Sequence, residues 1–167
     1  MPESLHTIAE ISITLAGLSG LAAAFRTSRI ETWQPRERLA FWLVISNSLA
    51  ALFLSLIPFT ILHFGASDSA VWSICSFLQA VYIEGAIIVS LIRSSHLDRL
   101  GDPTPNRLAW AIALPASALM GFALLLSVFD ILIPRGLGIY HLGLVSLLAV
   151  ACMSFVLFLR FPLQRRT

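Results

Sequence analysis

The chain has 167 residues, 57% of them hydrophobic and 12% charged, with a formal net charge of +2. A mean hydropathy of +0.86 excludes an ordinary soluble domain, which is about half apolar and a quarter charged, and the length leaves no room for a separate soluble catalytic domain beside a bundle of spans. All eleven basic residues are arginines lying between apolar runs, where membrane topology accounts for them, so no nucleic-acid partner is implied.

The first apolar run, Leu5 to Phe25, supplies 21 residues, enough to cross a bilayer at about 20 residues per span. It carries a carboxylate. At 100° per residue His6, Glu10, Ile13, Gly17, Gly20 and Ala24 share one small, polar side, opposite Ile11, Leu15, Leu18, Ala22 and Phe25. Met1, Pro2, Glu3 and Ser4 provide no basic start for a cleaved signal peptide, so this helix is expected to be retained.

After the charged connector Arg26 to Arg38, a second run spans Ala40 to Phe64, with Pro35 placed to open its helix. Pro58 lacks an N–H and is expected to leave the Leu54 carbonyl without its usual donor and to kink the helix, the gap being filled by a neighbour or water. A tight turn, Gly65 to Ala70, leads to a third run, Val71 to Ile92, containing Gln79 and Glu84. Residues 93–107 read as a surface connector because of Gly101, Pro103 and Pro105. The fourth run covers Leu108 to Phe129. A Pro- and Gly-bearing turn, Asp130 to Gly138, is apolar enough to dip into an interface, and the fifth run covers Ile139 to Phe161.

The expected fold is therefore all-α, a single transmembrane domain over 1–167 with spans near 5–25, 40–64, 71–92, 108–129 and 139–161. Four spans plus an interfacial or re-entrant first helix is the alternative. Ten arginines fall on one side of the five-span topology and only Arg135 on the other, which puts the N-terminus outside and the C-terminus in the cytoplasm. Trp42, Trp72 and Trp110 stand near span ends, as an aromatic belt requires.

Small residues mark helix-packing faces. Ala109, Ala113, Ser117 and Gly121 recur every fourth residue in the fourth run, Ala16, Gly20 and Ala24 do so in the first, and Ser73, Ser76, Ala80 and Glu84 lie near one stripe of the third. Each ladder can be satisfied within the chain or by another copy; a homo-oligomer forms a useful pore more easily than so small a monomer.

Depth singles out the polar residues. Asn47 and Glu84 lie about 10–12 Å inside the cytoplasmic boundary at 1.5 Å per residue, and Ser19, Ser117 and Ser154 fall at comparable depth. A charged carboxylate near the membrane centre costs about 2.5–3.5 kcal/mol. Glu84 therefore reads either as a proton- or cation-binding group facing water or as a hydrogen-bonded pin between helices. Toward the outer side His6, Glu10, His63, Asp68, Asp130 and His141 form a second polar group that can relay protons, but only His6 and Glu10 have a defined spacing, so no metal site is assigned.

Cys75 and Cys152 are isolated packing residues. No nucleophile elbow, phosphate loop or dinucleotide fingerprint occurs, and neither an enzyme nor a cofactor is expected. The segment Ile8-Ala-Glu-Ile-Ser-Ile-Thr-Leu-Ala-Gly-Leu-Ser-Gly20, ending in Phe25 and Arg26, is similar to the opening of small uncharacterised bacterial membrane proteins with an A-E-I-S…A-G-x-S-G pattern. That resemblance covers the first helix only; it implies a bacterial inner-membrane protein and carries no functional residues. The functional expectation is a homo-oligomer in the lipid bilayer conducting protons or small cations past Glu84 and Asn47, with Glu10 near the outer entrance. The alternative is an accessory subunit docking another membrane protein through its small-residue faces.

Overall fold

The computed structural model describes residues 3–24, 33–101, 107–134 and 136–164, and for 107–109 and 160–164 the backbone alone. It is all-helical: α1 (Glu3–Ala24), α2 (Pro35–His63), α3 (Asp68–Arg99), α4 (Arg107–Val128) and α5 (Leu137–Gln164). All five helices are long and apolar enough to cross a membrane. The arginines at 26, 29, 135, 165 and 166, and the side chains of Arg107, Ala109 and Arg160, lie outside the described residues.

Local chemistry sets the helix ends. Pro35 occupies the first turn of α2, and Glu37 reaches back to the Gln34 N–H at 3.2 Å in a capping box. Gly65, at φ 79°, closes α2 by bonding to the Leu62 carbonyl at 3.0 Å, a left-handed conformation that glycine adopts without strain. Ser67 caps α3, accepting from the Ala70 N–H at 3.4 Å.

Helix α3 does not stop at Ile92. The helix is 32 residues long and ends at Arg99, so its last two turns occupy sequence that reads as connector. Leu97 buries its side chain there, and Arg36 of α2 pairs with Asp98 and donates to Ser94 Oγ at 3.0 Å. Tertiary contacts thus hold residues whose composition alone points to a loop. In α4, Pro115 lies inside a helix that runs unbroken from Arg107 to Val128.

Helix α2 is central, packed on α1, α3 and α5, while α4 leans on α3 and α5. The main core gathers Val44, Ala51, Val71, Ile83, Leu124, Tyr140 and Leu144. A smaller cluster joins Trp33, Ala40 and Phe158 against Ala22 and Ala23. It brings the end of α1, the start of α2 and the end of α5 together, at the same end of the bundle as the Arg36–Asp98 pair. The outer surface is apolar: Leu21, Phe53, Phe77, Ile88, Ile112, Leu119 and Phe122 are all more than half exposed, except Phe77 at 50%.

Candidate functional site

Helix α1 turns its polar side outward. His6 Nε2 lies 3.5 Å from Glu10 Oε1, with the two side chains 77% and 67% exposed. Gly17, Gly20 and Ala24 are exposed on the same face, and an added Cβ on either glycine would meet nothing within 4 Å. Of the two readings of this ladder, packing within the chain is not the one these positions follow: among the described residues the face is open. Leu5, Ile8, Ser12, Leu15 and Ser19 are buried instead, so the core stripe of α1 mixes bulky residues with serines, while Ile11, Ile13, Leu18 and Leu21 are left on the outside. Ser12 and Ser19 satisfy themselves on their own helix, donating to Ile8 O at 2.6 Å and Leu15 O at 2.7 Å.

The residues expected at one depth do not form one layer. Asn47 donates to Leu43 O at 2.8 Å and receives a long bond, 3.4 Å, from the Tyr82 hydroxyl. Together with Ser117 and Ser146 it lines a narrow cleft that shares Leu43, Ser90, Trp110 and Leu114 with a cavity of about 450 Å³. Arg36, Ser94 and Asp98 stand at the far end of that cavity, and its walls include Leu39, Leu91, Leu114 and Leu157. Arg36 and Asp98 balance each other's charge, so the space suits an uncharged or amphipathic guest better than a free ion. Ser154 is buried elsewhere, and its hydroxyl, like those of Ser48 and Ser76, has no hydrogen-bond partner among the described residues.

Glu84 takes another direction. Its carboxyl group lies over Gly121 of α4, where an added Cβ would come within 3.0 Å of Glu84 Cδ and closer still to Oε1. Gly121 is buried in this contact, and Ala113 and Ser117, lower on the same ladder, line the neighbouring cleft. Since the obstructing atoms are the end of a flexible side chain, Gly121→Ala is expected to displace Glu84 at a cost of about 0.5–1.5 kcal/mol, measurable by equilibrium unfolding in mixed micelles.

Two polar contacts carry more of the interior than the sequence indicates. Gln79 is fully buried. Its amide lies against α5 and, in the orientation that satisfies both neighbours, donates to Tyr140 O at 3.2 Å and accepts from the Leu144 N–H at 2.7 Å; it sits where a Cβ on Gly143 would come within 2.7 Å. The Tyr140 hydroxyl, also fully buried, donates to Leu54 O, the carbonyl vacated by Pro58. A lone glutamine in an apolar run and a proline four residues after an orphan carbonyl are the available signals; neither identifies its partner.

The outer group lies at one end of the bundle without converging. His63 is exposed with its ring 6.4 Å from that of Phe64, Asp130 is exposed at φ 58° in the α4–α5 turn, and His141 is half-buried. Among the described residues no three of His, Cys, Asp and Glu come together as a metal set would. Compared with known proteins, the chain matches no family model, no curated protein and no solved structure.

Proposed function

We propose that the five helices cross the bacterial inner membrane, with the N-terminus outside and the C-terminus in the cytoplasm, and that copies of the chain associate through α1 to pass protons or small cations. The apolar exterior supports insertion, because soluble monomers rarely expose contiguous apolar patches above a few hundred Å². The arginine distribution supports the orientation. The observation that carries the oligomer is the outward face of α1. Glu10 is two-thirds exposed on a helix apolar enough to span, and in lipid a carboxylate is disfavoured, by about 2.5–3.5 kcal/mol at the bilayer centre and by less toward the interface, where Glu10 lies.

A second copy laid on Gly17, Gly20 and Ala24 removes that cost by enclosing Glu10 and His6 between helices. Small residues let the backbones approach. Carboxylates on a path otherwise made of glycine and alanine select cations. Glu84 and Asn47 stand away from that face, which favours a second reading: an accessory subunit whose α1 docks another membrane protein.

Proton and potassium flux into liposomes containing the purified protein separates the two. Native flux above that of empty liposomes is expected to fall about tenfold or more with Glu10→Gln, equivalent to ~1.4 kcal/mol of lost cation stabilisation, and to change little with Glu84→Gln. Absence of flux under every gradient, with native and variant proteins folded alike, overturns conduction and leaves the docking role.

A further inference from the structure

On the opposite side of α2 from the neutral cavity, the ends of α2 and α3 enclose an open cleft of about 490 Å³. Arg38, Arg93 and His96 line it with Trp33 and Trp42, and among the described residues no carboxylate does. The contrast with Arg36, which pairs with Asp98, is one of charge: two arginines and a histidine line this cleft, and neither arginine has an ion pair among the described residues that line it. Arg38 also stands in the first turn of α2, where the helix dipole disfavours a cation and favours an anion.

The cleft is shaped as well as charged. Trp33 is buried and fixed edge-on to Phe41 at 5.5 Å and tilted on Phe158 at 5.3 Å, which makes a stiff wall. The Arg93 guanidinium carbon lies 6.0 Å from the centroid of the Trp42 ring, a cation–π geometry that holds the arginine over the opening. Within two turns of the cleft toward the middle of the bundle, Val89 and Ile92 of α3 and Leu49 of α2 are exposed and apolar. A ligand lodged here meets cations at one end and hydrocarbon at the other.

We propose that this cleft binds the phosphate headgroup of an anionic phospholipid, with the acyl chains lying along Leu49, Val89 and Ile92. Arg38 and Arg93 supply charge-assisted donors to the phosphate oxygens, and the tryptophans sit at headgroup level. The assignment rests on the membrane-spanning reading but not on conduction, and it is tested without any gradient.

Binding is measured by native mass spectrometry and by the thermal stability of the purified protein in a neutral detergent. The probes are phosphatidylglycerol, phosphatidylcholine and inorganic phosphate. Phosphatidylglycerol is expected to bind saturably and raise the unfolding temperature, phosphatidylcholine much less, and phosphate alone not at all. Arg38→Gln and Arg93→Gln, both at exposed positions, are each expected to weaken phosphatidylglycerol binding about fivefold. Arg99→Gln removes the same charge from the end of α3 outside the cleft and is expected to leave binding unchanged. Equal loss with Arg99→Gln, equal binding of phosphatidylcholine, or full stabilisation by phosphate alone overturns the proposal.

Discussion

Gly143→Val is expected to destabilise the folded chain by about 2–4 kcal/mol. The added side chain enters space held by the Gln79 amide, which lies within 2.7–2.9 Å of the new Cβ position. Overpacking a filled contact costs about 1–3 kcal/mol. Displacing the amide also strands a buried donor and acceptor, at about 1–3 kcal/mol again. Unlike Glu84 over Gly121, Gln79 is fully buried and has nowhere to swing. Gln79→Ala in the same chain removes both the obstruction and the stranded groups, so the double variant should recover most of the loss. Equilibrium unfolding of the four proteins in mixed micelles reads the cycle; a Gly143→Val chain as stable as the native one would mean that Gln79 does not bridge α5.

Tyr140→Phe is expected to cost about 1–3 kcal/mol, the penalty for leaving the buried Leu54 carbonyl unsatisfied. The dependence on Pro58 is what makes the prediction specific. In a Pro58→Ala background the residue at 58 has an N–H, the carbonyl regains its helical donor, and the cost of losing the tyrosine hydroxyl should shrink to a small remainder. Unfolding free energies measured on both backgrounds give this coupling directly. If the cost is the same on both, the hydroxyl serves some acceptor other than Leu54.

Those two contacts show where sequence reading succeeds and where it stops. Five helices are legible because a bilayer-length apolar run needs only length and composition, and Pro35, Gly65 and Ser67 carry their own conformational reasons. The orphan carbonyl of Leu54 follows from Pro58 by backbone geometry alone. That Tyr140 fills it does not, since this requires knowing that α5 lies beside α2 at that height. The extension of α3 to Arg99 is invisible for the same reason: Ser94, Ser95, His96 and Asp98 look like a loop until Arg36 is opposite them. On α1 the angular arithmetic groups His6, Glu10, Gly17, Gly20 and Ala24 correctly on one side. It does not say which side faces the core: the stripe through Leu5, Ile8, Ser12 and Leu15 does, while Ile11 and Leu18, grouped with Leu15 by the same arithmetic, are about half exposed. Glu84, Asn47, Ser117 and Ser154 share a depth, but depth along an axis leaves direction around it free. The structure sends them to a glycine contact, a cleft and the core.

What covers the outward face of α1 decides whether copies of the chain associate there. Cysteine cross-linking in native membranes tests it most directly, using Gly17→Cys and Gly20→Cys in a Cys152→Ala background, with buried Cys75 left in place. Leu119→Cys, 69% exposed on α4, serves as the comparison. Oxidation is predicted to give a covalent dimer of two identical chains from one or both α1 positions and none from Leu119→Cys. No dimer from either α1 position, or as much from Leu119→Cys, would contradict a second copy on this face and with it the path past Glu10.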